Sequence, residues 1–527
     1  MFKKTGIRIV TVAIAAGMIV SGFAGCGKKE KPKQTATQTE ATGKVSTLVS
    51  AKPVEVRIFL EDRPDMPWSN NMEVIKELSK RTNVNFSFEL APQGNSEEKF
   101  NILIASGDLP DILNYQYDKL IKYADKGAYE PLNELLEKDA PNIKNVINED
   151  PKYKKELTHS DGKMYLLPNI GAIKVSEVFY LRQDWLDNLG LKTPETTDDW
   201  YTMLKTMKEK DPNGNGKQDE IPFSVRNKRA NLNPFFQSWG IQHEFFIENG
   251  KVRFGSADPR MKEALIWLNK LYMQGLIDRD FLTNDAKLWQ ARFVNELSGV
   301  THDWISRLST FNVEVQKVNP KAKFVAVMPP KGPNGDRFTA WQQAKLRLDN
   351  GCAAIASTSK YKKEIVKMFD YCFSPEGSML MNFGIEGVHY KMVNGEPVYT
   401  DLVMKNPEGK SIPAVLGAAG INRDIPMKKD MRYETQTMSA EVKDAVKLYE
   451  PIIKDAYPKL KFDDKQRETI NSKYTEIKTY KDEMLDKFIT GYESLDKFDE
   501  FAKKLKSMGI EDVIKVHQEA FDKYNKN

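Results

Sequence analysis

Two periodicities alternate along the folded body of the chain. VEVRIFL (Val54–Leu60) and NVNFSFEL (Asn83–Leu90) place apolar side chains at every second position, the signature of strands with one covered face. Between them NMEVIKELSKRT repeats its apolar positions at three and four residues, which predicts an amphipathic helix. NSEEKFNILIASGD predicts a second helix, with Asn95 as N-cap and Glu98 three residues on. LPDILNY then predicts a strand, and YDKLIKYADKGAY a helix that ends near Gly127. This β-α-β-α-β rhythm predicts a mixed, mostly parallel sheet flanked by helices.

A second block repeats the rhythm. VFYLR (Val178–Arg182) predicts a strand, TTDDWYTMLKTMKEKD a capped helix, and DPRMKEALIWLNKLYMQGLI a helix closed by Gly275. KFVAVMPPKGPNG predicts a strand running into a Pro/Gly loop. NGCAAIASTSKYKKEIVKMFDYC predicts a further strand and helix, and the last ~85 residues are helix-rich and charged. No fixed-period repeat is present, which excludes solenoids.

The N-terminus has a different pattern. Lys3, Lys4 and Arg8 precede the apolar stretch Ile9–Val20, which is too short to span a bilayer in the usual way. SGFAGC follows and resembles a bacterial lipobox, with Cys26 as the acylated first mature residue. Phe23 stands where that motif usually has Leu. A cleaved secretory signal or an uncleaved anchor are the alternative readings. Residues 27–50 are Lys, Thr, Gln and Ser with almost no apolar content, as expected of a disordered tether.

The chain has 527 residues and a formal net charge of +5. Residues 1–25 carry three cations and no anion, so the mature charge is +2, and basicity gives no sign of nucleic-acid binding. Cys352 and Cys372 have no disulfide or metal-ligand spacing and are read as unpaired thiols. The five histidines (159, 243, 302, 389, 517) are scattered, and no HExxH, GxSxG, Walker or GxGxxG motif is present. Carboxylates are too numerous for counting to exclude a glycosidase pair, but nothing positive points to one.

DPNGNGKQDEIP is the most specific chemical motif. Asp211, Asn213 and Asn215 occupy positions 1, 3 and 5 of an EF-hand-like loop, and Gly216 falls where the backbone must turn. Lys217 would offer its carbonyl, Asp219 falls at position 9, and Glu220 could replace the bidentate Glu that Pro222 displaces. The expected ion is a structural Ca²⁺; the alternative is an Asn-Gly turn after a helix.

Trp185, Trp200 and Trp267 lie on helical apolar stripes and are assigned to the core, while Trp289 is left unassigned. Trp68, Trp239, Trp304, Trp341 and Tyr390 lie among polar loop residues. Flat aromatic faces suit the apolar faces of sugar rings, and polar neighbours such as Asn114, Tyr115 and Asp303 suit the hydroxyl rims. These eight form the expected ligand cleft; the competing reading of each is ordinary packing. Arg423 and Arg432 are candidates to pair with a uronate carboxylate, or equally to sit in surface ion pairs with neighbours such as Asp424.

SGDLPDI, RQDWLDNLGL, DPNGNGKQDEIP, GIEGVHY and the tail from Phe488 to Tyr524, with the lipobox and tether, resemble extracellular solute-binding proteins of family 1. More narrowly they are similar to the LipO-type lipoproteins of ABC importers in Gram-positive bacteria, over nearly the whole mature chain. The resemblance implies an α/β, periplasmic-binding-protein-like fold of type II: two lobes joined by a hinge, with a helix-rich C-terminal region. It implies 51–170 as the first part of the N-lobe and 171–330 as C-lobe, carrying the loop 211–220. It further implies a return to the N-lobe over 331–395 and completion of the C-lobe by 396–527. Alginate-oligosaccharide-binding relatives carry a calcium loop D-x-N-x-N-x-K-x-D-E, which matches here without departure. The implied activity is binding without chemistry: a lipid-anchored monomer on the outer face of the cell membrane that captures an oligosaccharide and passes it to an ABC permease. A binding protein for another solute such as a peptide, a sensory lipoprotein, or a polysaccharide-degrading enzyme are the rival readings.

Overall fold

The computed structural model describes residues 48–526, apart from 63–65, 93, 172–174, 227, 340–345, 348–350 and 406–411. Cys26 and Trp341 therefore lie outside the described residues.

Strands β1 (Val54–Asp62), β2 (Val84–Pro92) and β3 (Ile112–Tyr115) begin the N-lobe sheet. β1 pairs in parallel with β2, from Val54↔Val84 to Asp62↔Pro92, and with β3 at Ile58↔Ile112. The crossover helix Glu73–Thr82 buries Val74, Ile75 and Leu78 against the sheet. It stops at Asn83, which takes φ 60° and donates its N–H to the Ser79 carbonyl, a left-handed C-cap. The helix Ser96–Ser106 starts at Asn95 as its sequence predicts, but the Asn95 side chain makes no cap hydrogen bond. Short β4 (Leu166–Leu167) and β5 (Asn169–Ile170) lead out of this lobe.

The C-lobe sheet takes β6 (Glu177–Arg182), β7 (Ile221–Phe223), β10 (Ser298–Trp304) and β11 (Phe324–Val327), in the order β11-β6-β10-β7. β8 (Phe245–Glu248) and β9 (Lys251–Phe254) form a separate hairpin. Alternation along β6 divides its side chains between two cores. Phe179 and Leu181 pack with Trp185, Trp200 and Trp267. Val178 and Tyr180 pack with Trp289, Phe311 and Tyr449 on the other side. The helix Thr197–Glu209 is capped as predicted, by a capping box of Thr196 and Asp199. The tail contributes the helices Asp464–Thr490 and Ile510–Lys526, whose Leu485, Phe488 and Val513 complete the first of these cores.

β12 (Leu346–Arg347) precedes the return to the N-lobe, where β13 (Cys352–Ile355) inserts antiparallel between β3 and β4. The hairpin β14 (Tyr390–Val393) and β15 (Glu396–Tyr399) follows, and then β16 (Met427–Lys428). β5 pairs with both β12 and β16 in a small sheet, and each of the three adjoins a passage of the chain between lobes. These three crossings link the two lobes. Two expected boundaries move as a result. Lys331 and Thr339 bridge to Thr196 and Ile453, so the return to the N-lobe comes near 350 rather than at 331. Tyr390 pairs with Tyr399, and Val403, Leu416 and Met427 belong to the N-lobe core, so the last crossing falls near 430 rather than at 396.

Cys352 and Cys372 are buried and share no disulfide, and burial pushes the Cys372 thiol up to about 12. Among the described residues no helix is long and apolar enough to cross a membrane.

Candidate functional site

A cavity of about 510 Å³ lies where the lobes face each other, within the usual range of roughly 300–1,000 Å³ for ligand sites. The N-lobe brings Leu60 and Glu61 from the end of β1, and Asn114, Tyr115 and Gln116 from the end of β3. The C-lobe brings Trp304 from the end of β10, with Ile305 and Ser306. Strand ends at a chain crossing are where α/β sheets open a crevice.

Four of the eight expected cleft residues line this cavity: Trp68, Asn114, Tyr115 and Trp304. Trp304 is 41 % exposed and presents a bare ring. Its main-chain N–H donates to Asp303 Oδ1 at 2.6 Å, which fixes its base. Asn114 is buried, and its Nδ2 donates to the Asp424 carbonyl at 2.8 Å. Its Oδ1 is enclosed and has no hydrogen-bond partner among the described residues. Tyr115 Oη contacts Ser96 Oγ at 3.0 Å, and Ser96 in turn donates to Glu61, so one short relay holds that wall.

Trp68 is placed differently from Trp304. Only 9 % exposed, it carries the Arg423 guanidinium 4.0 Å from its ring centroid, with Phe88 at 5.7 Å. Arg423 also donates to the carbonyls of Gly417 (3.1 Å) and Met66 (2.8 Å). Gly417 packs closely here, since a Cβ would come within 2.8 Å of the Met66 sulfur and displace that side chain. Trp68 thus builds the wall, and its stacked face is taken.

The other expected cleft residues lie elsewhere. Asp303 is buried behind Trp304, held by Arg226 through Nε (2.5 Å) and Nη2 (2.8 Å). Its neighbour Glu177 is pushed up to about 7, first by burial and then by the Asp303 charge, with Arg226 opposing. Trp239 belongs to the C-lobe core, 2 % exposed and 5.8 Å from Trp267. The segment FFQSWG that reads as a polar loop is the end of a 3₁₀ helix, Asn233–Trp239, buried along its length. Tyr390 is also core: it is the one inward residue of β14 and packs 5.9 Å from Phe383. Sequence reasoning missed Glu61, Gln116, Lys429 and Tyr433 on the cavity wall. Their neighbourhood depends on long-range pairing, and no local signal marks them. Arg432, a candidate for a uronate, instead meets Asp430 at 2.7 Å and Glu396 at 3.2 Å, away from the cavity lining.

The loop 211–220 follows the helix Thr197–Glu209 and shares no residue with the cavity. Gly216 takes φ 77°, as the tight turn requires, and donates to Asp211 Oδ2 at 2.7 Å. Asn215 donates its N–H to Asp211 Oδ1 and Asn213 Oδ1 at 3.0 and 2.9 Å. Glu220 is 0 % exposed, and neither carboxylate oxygen has a hydrogen-bond partner among the described residues. Burial raises its pKa, and the charges of Asp219 and Asp211 add to the effect. An unpaired buried carboxylate beside two others is costly unless a cation compensates it. The donor set therefore fits a hard cation. Among the described residues no three His, Cys, Asp or Glu side chains form a metal-binding group, so amide and main-chain oxygens would have to supply part of the shell.

Residues 71–379 match the family of bacterial extracellular solute-binding proteins. The chain is 26 % identical to the fructooligosaccharide ABC transporter substrate-binding protein FusA of Streptococcus pneumoniae, across 100 % of this chain and 99 % of FusA. It is 29 % identical to lipoprotein LipO of Bacillus subtilis, across 75 % of this chain and 76 % of LipO. The solved structure of the alginate-binding protein AlgQ2 without calcium ion superposes with a TM-score of 0.76 at 31 % identity, covering 91 % of this chain and 100 % of AlgQ2.

Proposed function

The chain belongs to the bacterial extracellular solute-binding proteins, and from that premise we propose that it captures an oligosaccharide between its lobes and delivers it to the permease of an ABC importer. The observation that carries this is the interlobe cavity, lined by the exposed ring of Trp304 from one lobe and by the polar side chains of Glu61, Tyr115 and Gln116 from the other. A sugar ring has an apolar face for the indole and hydroxyls for those polar groups. FusA and AlgQ2, named for carbohydrate ligands, support the same class.

The mechanism is binding without chemistry. The three hinge crossings let one lobe rotate on the other while each core stays intact. A ligand that touches both walls favours the closed form by its differential affinity for it. The closed form then docks on the permease. Acylated Cys26 and the tether 27–50 would keep the protein, as a monomer, on the outer face of the membrane.

The loop 211–220 would hold a structural calcium ion through Asp211, Asn213, Asn215, the Lys217 carbonyl, Asp219 and Glu220. A bound dication would supply compensating charge for Glu220 and tie the loop to the helix before it. AlgQ2, whose structure was solved without calcium ion, supports calcium as the metal.

Isothermal titration of residues 27–527 with oligosaccharides tests the reading. Saturable binding with 1:1 stoichiometry supports it. Binding of peptides and of no sugar refutes it.

A further inference from the structure

The N-lobe wall carries a hydrogen-bond chain that ends on a carboxylate of the cavity. We propose that Glu61 is the residue that reads a hydroxyl of the bound sugar, and that Ser96 is a positioning residue that aims it. This rests on the cavity being the oligosaccharide site proposed above.

Glu61 stands one residue before the end of β1 and lines the cavity. Its neighbour Asp62 has a different task, accepting the Trp68 main-chain N–H at 2.8 Å. Ser96 is the first residue of the helix Ser96–Ser106; it is buried and lies outside the cavity lining. Its Oγ donates to Glu61 Oε2 at 2.5 Å and sits 3.0 Å from Tyr115 Oη. A serine hydroxyl has a single proton, and here it goes to Glu61, so the Tyr115 hydroxyl is the donor to Ser96. Each bond in such a chain strengthens the next. Tyr115 is fixed in turn: its ring lies 5.6 Å from that of Phe59 and 5.1 Å from that of Phe100, both buried. Tyr115 ends β3 and Glu61 nears the end of β1, and these strands pair directly at Ile58↔Ile112 and Phe59↔Leu113. Two paired strands and a helix start therefore hold the carboxylate in one orientation. A carboxylate accepts about four hydrogen bonds, so the one from Ser96 leaves capacity for a ligand. A sugar hydroxyl that donates to it makes a charge-assisted bond, about twice as strong as a neutral one. Trp304, on the other lobe, supplies apolar contact without directional preference. The bond to Glu61 is directional. Glu61 therefore separates sugars that stack alike but differ in one hydroxyl.

The test is calorimetric titration of residues 27–527 with kestose, maltotriose, cellotriose, mannotriose, xylotriose and trigalacturonate. The sugar that binds the native protein is then titrated into each variant, with a urea melt to show that the variant is folded. Glu61→Gln should weaken binding by at least about 10-fold, the loss expected of a hydrogen bond to a charged group. Should that variant not fold, Glu61→Asp, which withdraws the charge by one methylene, replaces it with the same expected loss. Ser96→Ala should weaken binding by about 5-fold alone and leave it unchanged in the Glu61→Gln background, because its effect passes through Glu61. An equal loss from Ser96→Ala in both backgrounds overturns the positioning role. A Kd for folded Glu61→Gln within about twofold of native overturns the inference and leaves the proposed function standing. No binding of any sugar by folded native protein overturns the inference together with the proposed function.

Discussion

Trp304→Ala should weaken oligosaccharide binding by about 10- to 70-fold while leaving the fold untouched. A tryptophan side chain buries roughly 150–250 Å² when fully covered. Trp304 is 41 % exposed in the open cavity, so about 50–100 Å² is free for a sugar ring to cover. At about 25 cal/mol per Å² that contact stabilises the complex by about 1.3–2.5 kcal/mol, which is about 10- to 70-fold in Kd. The free protein should barely respond, because substitution of an exposed side chain usually changes stability by less than about 0.5 kcal/mol. Titration calorimetry measures the Kd, and a urea melt of the same sample measures stability. A Kd within twofold of the native value, with an unchanged melt, would refute Trp304 as a stacking platform. Trp239→Phe provides the contrast: that ring is in the core, so its loss should lower stability and leave Kd nearly unchanged in folded protein.

Further predictions follow from buried charge. Calcium at 100 times its Kd should add about 2.7 kcal/mol of stability to chelator-stripped protein. Glu220→Gln should abolish most of that gain, and a full calcium response in the variant would show that Glu220 is not a ligand. Burial pushes His302 and His517 down to about 4 and His243 to about 3, so each is neutral in the fold and must gain a proton on unfolding. Their stabilisation is present above the ordinary histidine value of 6.5 and is lost as pH falls from there towards 4, by up to about 3 kcal/mol for His302 alone. Urea midpoints that stay level from pH 7 to 4 would contradict this. Glu177 has the opposite sense, because its folded pKa near 7 is raised above the ordinary 4.5 and stability falls as pH rises between them. Glu177→Gln should therefore be more stable than native protein at pH 8 and no more stable at pH 5.

Local signals carried the elements well and the site unevenly. Alternation in NVNFSFEL and the capping box at Thr196 and Asp199 are properties of neighbouring residues, and both appear in place. The tight turn at Gly216 was legible for the same reason, since Asp211, Asn213 and Asn215, which bind its main chain, fall within six residues. The passage between the lobes was not legible: β5, β12 and β16 are two residues each and exist only by pairing over more than 170 positions. Trp304 and Trp239 have similar polar neighbours in sequence, yet one ends a strand at the cleft and the other packs on Trp267. Arg423 carries a readable charge, but its stacking on Trp68, over 350 residues away, decides that this charge is already used.

The central claim is that the interlobe cavity captures a carbohydrate. The most direct measurement is the thermal melt of residues 27–527 against neutral oligosaccharides, acidic oligosaccharides and peptides, each compound in excess. The account predicts an upward shift with one class of oligosaccharide, equivalent to about 2.7 kcal/mol at 100 times its Kd. It also predicts that Trp304→Ala loses most of that shift at the same sugar concentration. Shifts with peptides and none with any sugar would contradict it.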